Sequence, residues 1–415
     1  MSIPCLVAST SVAFKRVTPE ECLGEDMTMG IRLPNVPDLH ELPELGEAEG
    51  CIQCMQGSKL VLFITGKCHW ACDYCPLSDT RRESPYMYAN ERRCSNFDEV
   101  IEEAKAMRAT GAGITGGDPI MDFEHTLEGI RRLRNEFGPD FHMHMYTSIA
   151  FRPEWAIRLK DAGLDEIRFH LLDFKLNPYL KAIRATSEAG IFTGVEVPCP
   201  PDMEVQMFQL LDDLRDTGIN FLNLNELEIT LGNQENMEVR GFNLSDGITA
   251  GAAGSSELAI RLKNRVRAAE LSIPDPEDGT LRDPFGFHLK YCTAVFKDAG
   301  QLRRRFLRRG EATISPHETL TDDGTLLFGA IYCSTDDASD YMDEIMQECE
   351  LPHSFLHFDE EQLRIEIPLL LAEEIAEEVD SPVALVEVHP THERMEMTLV
   401  WLNDHRPVDF VNDDA

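Results

Sequence analysis

The chain has 415 residues, 43% of them hydrophobic and 27% charged, which is enough for one large or two ordinary domains and excludes a peptide-like or disordered protein. No stretch approaches the roughly 20 apolar residues of a membrane-spanning helix, so we expect a cytoplasmic protein without a membrane partner. The 74 acidic residues against 38 basic ones give a net charge of −36. This charge disfavours broad nucleic-acid binding and is typical of halophilic proteins from salt-rich cytoplasm.

Strand and helix patterns alternate along the chain between residues 59 and 270. Short apolar runs predict six strands, at 60–65, 113–115, 141–146, 166–172, 192–197 and 221–229. Helical periodicity follows each of them, at 97–110, 123–137, 153–162, 179–189, 205–217 and 257–269. Such α/β units imply right-handed crossovers in a parallel sheet, which is either doubly wound or curved like a barrel. In both architectures the chemistry lies at the C-terminal ends of the strands.

The pattern divides the chain into three segments. Residues 1–50 include a Pro- and Glu-rich stretch without periodicity and are predicted to be an N-terminal extension. Residues 51–270 form the predicted core, and residues 271–415 form a smaller C-terminal α+β appendage. The appendage contains the only strongly basic stretch, Arg303 to Arg309. This stretch either binds phosphate or nucleic acid or, as we favour, pairs with neighbouring acidic residues.

Three cysteines, Cys68, Cys72 and Cys75, follow the first predicted strand within eight residues. Clustered cysteines in a reducing compartment indicate a metal, a cluster or catalysis more often than disulfides. Thiolates suit both zinc and iron–sulfur clusters. Structural zinc needs a fourth ligand, such as His69 or a distant cysteine, whereas three cysteines on a [4Fe–4S] cluster leave one iron open for a small molecule.

The spacing Cys-x3-Cys-x2-Cys, with Tyr74 directly before the third cysteine, resembles the signature loop of the radical S-adenosylmethionine (SAM) superfamily. The resemblance implies that Cys68, Cys72 and Cys75 bind a [4Fe–4S] cluster, that SAM binds the open iron and that Tyr74 contacts the cofactor. It also implies a partial (βα)6 TIM-like barrel, which the six predicted units fit. In the residues around these motifs, the sequence most resembles an archaeal group related to pyruvate formate-lyase activating enzyme.

A second motif ends the second predicted strand, with Gly116, Gly117, Asp118 and Pro119 in succession. It is similar to the Gly-Gly-Glu-Pro element with which this superfamily binds the methionine amino group of SAM. Glycines permit close approach of the backbone, and a carboxylate or carbonyl accepts hydrogen bonds from an ammonium group. Because Asp118 is shorter than the family's Glu, we expect the contact to rest more on backbone carbonyls.

The ends of later strands supply further candidates for cofactor binding. The resemblance implies that Thr147 and Ser148 lie against the cofactor carboxylate, and that Arg168 and Glu196 contact its ribose and adenine. The alternative is that charges on inner strands pair with one another. The sixth strand adds three candidates for substrate contacts, namely Asn223, Asn225 and Glu226.

A second cysteine pair, Cys51 and Cys54, lies just before the first strand. Together with Cys292 or Cys94, it is a candidate for a second zinc or iron–sulfur site. The alternative is a pair of buried or redox-inert thiols.

The resemblance implies an enzyme in which an external one-electron donor, of ferredoxin or flavodoxin type, reduces the cluster. SAM is then cleaved to methionine and a 5′-deoxyadenosyl radical, which abstracts hydrogen from a substrate that the sequence does not identify. Two alternatives stay open. One is an enzyme that activates or modifies a protein or RNA partner, and the other is a non-enzymatic module that binds zinc or a cluster.

Overall fold

The computed structural model describes residues 46–406 except 70–71, 79, 83 and 247–248. The described residues form two compact units, of which one ends at Arg308 and the other begins at Arg309. Most of the predicted N-terminal extension, residues 1–45, lies outside the described part of the chain.

The first unit contains a nine-stranded sheet in the order β3-β2-β1-β4-β5-β6-β7-β8-β9. Its strands are β1 (Lys59–Phe63), β2 (Met87–Ala89), β3 (Arg92–Cys94), β4 (Gly111–Thr115), β5 (His142–Thr147), β6 (Glu166–Phe169), β7 (Phe192–Pro198), β8 (Phe221–Asn225) and β9 (His288–Cys292). From β1 through β4 to β9 all pairs are parallel, while β2 and β3 form an antiparallel hairpin at one edge. Because β3 and β9 are the two edges, the sheet does not close, and the predicted α/β fold with a partial barrel is confirmed.

Among the described α-helices up to the boundary between the units, one precedes β1, seven lie between consecutive parallel strands and one follows β9. They are α1 (Glu49–Met55), α2 (Phe97–Ala106), α3 (Phe123–Phe137), α4 (Pro153–Ala162), α5 (Leu180–Glu188), α6 (Glu204–Asp213), α7 (Gln234–Val239), α8 (Ser255–Glu270) and α9 (Arg303–Thr313), the last of which contains the boundary between the units. Local sequence sets several of their ends. The Asn96 side chain caps α2, and α4 begins with Pro153 and stops at the left-handed Gly163. No helix of the described residues is long and apolar enough to span a membrane.

Side chains alternate between the two faces of the sheet. In β5, Met143 and Met145 are fully buried in the apolar core beneath the helices. The intervening His144 and Tyr146 contact each other on the opposite face. In β6, Ile167 likewise joins the apolar core, whereas its neighbours Glu166 and Arg168 do not. The partial barrel therefore has an apolar outer layer and a polar lumen.

Helix α1 approaches the lumen closely because it carries a glycine at the contact. The backbone N–H of Gly50 donates to Glu166 Oε2 at 3.0 Å. A Cβ at Gly50 would lie 2.5 Å from Arg168 Nη2, closer than any side chain can sit. The strands β6 and β5 and the helix α1 are thus packed without space for a larger residue.

The parallel sheet continues beyond residue 270, the predicted end of the core. Strand β9 pairs with β8 in parallel and adds a seventh βα-type strand. The segment between α8 and β9 gives no helical or alternating signal, so the sequence pattern does not connect β9 with the preceding units.

The second unit is an antiparallel sheet with two helices, consistent with the predicted α+β appendage. Its strands are β10 (Thr319–Leu320), β11 (Leu326–Tyr332), β12 (His357–Asp359), β13 (Arg364–Ile367), β14 (Val383–Val388) and β15 (Glu396–Trp401), and its helices are α10 (Thr335–Glu348) and α11 (Leu369–Ile375). The strand order is β12-β13-β11-β14-β15, with β10 pairing with β11. Gly329 permits close packing, since a Cβ there would lie 2.1 Å from Ala372 Cβ of α11.

Phe169 provides a test of the packing between the sheet and its helices. It is fully buried and lies against the rings of Phe151 and Tyr179. We expect Phe169→Ala to lower the free energy of unfolding by about 3–5 kcal/mol because it leaves a cavity, as measured by urea denaturation followed by circular dichroism. The control is Ile157→Ala, at a position that is 60% exposed, with a change within about 0.5 kcal/mol. Equal effects of the two substitutions would contradict this packing.

Candidate active site at the strand ends

A cavity of about 300 Å³ lies at the C-terminal ends of the parallel strands. This volume is at the lower end of the range for ligand pockets. Most of the residues that the sequence predicted for the cofactor site line it: Cys68, Cys72, Tyr74, Cys75, Gly117, Asp118, Pro119, Thr147, Ser148 and Glu196. Gly116 and Arg168, predicted for the same site, do not line the cavity. The structure thus brings together motifs from the ends of four parallel strands.

The glycine-containing turn packs directly on the start of the cysteine loop. Gly117 N donates to the Thr65 carbonyl at 2.7 Å, and Asp118 N donates to the Lys67 carbonyl at 2.8 Å. A Cβ at Gly116 would lie 2.4 Å from Thr65 O, and one at Gly117 would lie 2.3 Å from Lys67 O. Both glycines are therefore required for this approach, and Gly116 acts beneath the cavity surface.

Asp118 is buried and links the turn to the end of β5. Its carboxylate accepts hydrogen bonds from Ser148 N and Ser148 Oγ, both at 2.7 Å, and from Thr147 Oγ1 at 3.0 Å. It also accepts from Ile120 N at 3.0 Å. Burial raises the pKa of Asp118 in spite of these bonds. Because its oxygens already accept from the protein, the structure agrees with the expectation that backbone carbonyls carry more of any contact with an ammonium group.

A buried chain of polar side chains crosses the cavity from the cysteine loop to β7. The Tyr74 hydroxyl lies 2.8 Å from His170 Nε2, and His170 Nδ1 lies 3.2 Å from the Glu196 carbonyl. Burial lowers the pKa of His170, so its ring is neutral at neutral pH. These contacts place the Tyr74 ring at the cavity wall and orient it.

Residues near α7 secure the cysteine loop, and the sequence analysis missed them. Asn233 Nδ2 donates to the Tyr74 carbonyl at 3.0 Å and to the Glu228 carbonyl at 2.9 Å. Arg240 forms an ion pair with Asp73 at 3.1 Å. No spacing in the sequence relates these residues to the loop, because more than 150 residues separate them and only the fold brings them together.

Arg168 lies in a neighbouring, smaller cavity and pairs with other inner charges. It contacts Glu166 Oε1 at 2.6 Å and Glu196 Oε2 at 2.7 Å, and it donates to the Tyr146 hydroxyl at 3.2 Å. Arg168 thus makes the charge pairs of the alternative interpretation, and it does not line the larger cavity in which a ribose or adenine contact was predicted. Burial disfavours ionisation of Glu196, but the Arg168 guanidinium and hydrogen bonds from Asn225 and Asn223 together outweigh this effect and lower the pKa of Glu196. Arg168 therefore keeps an anionic Glu196 at the wall of the larger cavity.

The three candidates on the sixth predicted strand separate between the two cavities. Glu226 lines the larger cavity, Asn223 lines the smaller one and Asn225 lines both. Strand alternation predicts opposite faces for Asn225 and Glu226, but β8 ends at Asn225, so Glu226 is free of that alternation. Asn225 Nδ2 donates to Glu196 Oε1 at 2.8 Å.

The second cysteine group converges in the smaller cavity. Cys51, Cys54 and Cys292 all line it, and none of them forms a disulfide. Burial raises the pKa of the Cys292 thiol to about 11 and also raises the pKa of Cys54. Cys94 is fully buried in the apolar core at the end of β3 and does not line this cavity.

The arginines of α9 bind protein groups within the first unit. Arg304 donates to the Met55 carbonyl, and Arg305 pairs with Glu91. Arg308 Nη2 donates to the Arg108 carbonyl at 2.6 Å. Of these three contacts, that of Arg305 is with an acidic residue, as expected, whereas Arg304 and Arg308 donate to backbone carbonyls.

The donor set at the cysteine loop fits an iron–sulfur cluster better than a single metal ion. Among the described residues, no three His, Cys, Asp or Glu side chains are placed to hold one metal ion. In a cluster each thiolate binds a different iron, so the sulfurs need not crowd around one point. Cys68, Cys72 and Cys75 carry no disulfide and are partly exposed at one cavity, as such ligands require.

Comparisons with known proteins agree with this geometry. The family described as the radical SAM superfamily matches residues 62–239. A protein of Methanocaldococcus jannaschii, provisionally named glycyl-radical enzyme activating enzyme MJ0021, is 34% identical over 377 residues, which cover 85% of this chain and 92% of that protein. The chain belongs to the radical SAM superfamily. It is an enzyme of this class with a relationship to activating enzymes, and the predicted resemblance is confirmed.

Other similar proteins match smaller parts. GTP 3′,8-cyclase of Sulfurovum sp. is 25% identical over 168 residues, or 37% of this chain and 49% of that enzyme. A family described as a domain of unknown function, DUF8061, matches residues 324–399 in the second unit. The crystal structure of Streptococcus suis SuiB bound to precursor peptide SuiA covers 58% of this chain and 50% of that chain, at 13% identity and a TM-score of 0.39.

The role of Asn233 leads to a prediction about cluster retention. Asn233→Ala removes two hydrogen bonds that hold the Tyr74 and Glu228 carbonyls, a loss of about 1–3 kcal/mol in total. We expect the anaerobically reconstituted variant to lose iron to a chelator several-fold faster than the unaltered protein. Gln234→Ala is the control, since its side chain bonds only Glu238 on the exposed face of α7. Equal iron release by both variants would show that Asn233 does not secure the loop.

Proposed function

We propose that this enzyme cleaves SAM reductively and uses the resulting radical to abstract hydrogen from a substrate. The single observation that carries the proposal is that one cavity is lined both by three disulfide-free cysteines of a radical SAM signature loop and by the Gly117–Asp118–Pro119 turn. Held by these residues, a [4Fe–4S] cluster and SAM would supply one-electron reductive cleavage of the SAM carbon–sulfur bond, with the electron from an external donor, and abstraction of a hydrogen atom from the substrate.

In this proposal the chain holds the cofactors through two backbone-linked segments. Cys68, Cys72 and Cys75 bind three irons, and the turn at 116–119 offers carbonyl oxygens to the methionine ammonium. Thr147 and Ser148 lie beside the turn because Asp118 holds both of them. Asp118 thus acts as a positioning residue, and its loss would shift the strand end as well as the turn.

A further part of the cavity wall supplies polar contacts. Glu196, Asn225 and His170 line it together with Tyr146 and Lys297. Glu196 accepts from both Arg168 and Asn225, so its position is set from two sides. Fixed polar groups of this kind can orient a ribose or substrate hydroxyl through hydrogen bonds.

A second candidate function, activation of a protein partner, is favoured by the relative with the activating-enzyme name. The alignment covers 85% of this chain and therefore includes residues of the C-terminal region. That relative carries a counterpart of much of this region, which supports a polypeptide substrate.

The proposed reaction is tested by SAM cleavage with dithionite as electron donor. We expect the anaerobically reconstituted protein to release 5′-deoxyadenosine, and Cys72→Ala to lower the rate at least about 100-fold because one iron loses its ligand. Cys199→Ala is the matched control, since Cys199 is buried in the apolar core away from the cavity. Cleavage that survives Cys72→Ala, or stoichiometric zinc without cleavage, would refute the proposal.

The kind of substrate is tested by fractionating an extract of the source organism into proteins and small molecules. If the enzyme activates a protein, the protein fraction should raise 5′-deoxyadenosine formation and produce an organic radical signal by electron paramagnetic resonance (EPR). Stimulation by the small-molecule fraction alone would instead exclude the activating role.

A further inference from the structure

Three thiols from distant parts of the chain meet in the smaller cavity of the barrel lumen. Cys51 and Cys54 lie three residues apart on α1, a spacing that places both on one helical face. Cys292 ends β9, on the other side of the cavity. Cys51 also packs against Ala48 and Phe221, whereas two other buried cysteines of the same unit, Cys94 and Cys199, do not line this cavity. The convergence is therefore specific to these three thiols among the described cysteines.

Cationic side chains surround the thiols. Arg168, Lys290 and Lys297 line the cavity, whereas Glu196 is its single lining carboxylate. Arg168 Nη2 lies 3.3 Å from Cys51 Sγ. Glu47 pairs with Lys290, and Glu228 pairs with Lys297 at 2.7 Å, so both cations are held in place. Arg168 is itself paired with Glu166 and Glu196, so carboxylates balance all three cations. The contribution to a thiolate is therefore the specific hydrogen bond that the Arg168 guanidinium donates toward Cys51 Sγ.

One further polar atom faces this region without a protein partner. Asn223 is 3% exposed and lines the cavity, and its Oδ1 accepts no hydrogen bond. Buried polar atoms without partners are uncommon and indicate an interaction with a group that the protein itself does not supply. The cavity thus offers three sulfurs and one oxygen from four residues on α1, β8 and β9.

The thiol cavity shares a wall with the cofactor cavity. Tyr146, Glu196, Asn225 and Lys297 line both of them. A group bound among the thiols would therefore lie one layer of side chains away from the space in which the proposed reaction occurs.

We infer that Cys51, Cys54 and Cys292 bind a second [4Fe–4S] cluster in the barrel lumen, with the fourth iron left to Asn223 or to a small molecule. Soft thiolates favour zinc or iron–sulfur clusters. Structural zinc takes four protein ligands around one point, but no three candidate side chains among the described residues converge in that way. A cluster distributes the thiolates over separate irons, and the Arg168 guanidinium beside Cys51 donates a hydrogen bond toward one of them.

The inference is tested first in a full-length variant that lacks the signature cysteines, Cys68→Ala/Cys72→Ala/Cys75→Ala. After anaerobic reconstitution with iron and sulfide, we expect about four irons and four sulfides per chain, a brown colour and a low-temperature EPR signal on reduction. Adding Cys54→Ala or Cys292→Ala should remove them, whereas adding Cys199→Ala should not. This measurement involves no SAM cleavage, so its outcome is independent of the proposed function.

The reciprocal variant, Cys54→Ala/Cys292→Ala in the otherwise unaltered chain, provides a second test. We expect its iron content to fall from about eight to about four per chain. The EPR signal that remains should still change when SAM is added, which also shows that the variant is folded. The inference is overturned if the iron content of this variant is unchanged, if the unaltered chain binds only about four irons, or if zinc replaces iron in the triple variant.

Discussion

The geometry of the active site depends on the backbone contact between the first two parallel βα units. Strand β1 pairs with β4 in parallel, and the pairing continues past both strands, where Gly117 and Asp118 donate to Thr65 and Lys67. The cysteine loop and the glycine turn are thereby fixed to each other before any side chain contributes. A side chain at Gly116 or Gly117 would clash with the carbonyl oxygen of Thr65 or Lys67 and push the two segments apart. The cavity therefore depends on the two glycines at this contact.

Asp118 extends this constraint to β5, the next parallel strand. It binds the turn through Ile120 and the end of β5 through Thr147 and Ser148. Four hydrogen bonds to one buried carboxylate offset the free-energy cost of its burial. The departure from the longer Glu of the family therefore has a structural consequence, because the shorter side chain connects two strand ends and leaves the outward contact to the backbone.

The lumen below the cavity is polar, which is costly unless every charge is paired. Arg168 satisfies this requirement, since it contacts Glu166, Glu196, Tyr146 and Cys51. In doing so it separates two functions of the lumen. Toward the strand ends it fixes Glu196 at the cofactor cavity, and toward α1 it faces the thiol that we assign to a second cluster. The same guanidinium group thus couples the two cavities electrostatically.

The sequence by itself determined the six predicted strand-and-helix units and the two motifs, because the patterns that define them are local. Periodicity placed α3 and α4 at the residues observed, and loop spacing identified Cys68, Cys72 and Cys75. Only the tertiary structure decided which distant residues meet. It pairs β9 with the sheet and places Asn233 against the cysteine loop. It also places Arg168 in the smaller cavity, which Cys51, Cys54 and Cys292 line as well. The physical reason is that strand order and side-chain pairing across a lumen depend on packing between segments far apart in the chain, on which local residue patterns carry no information.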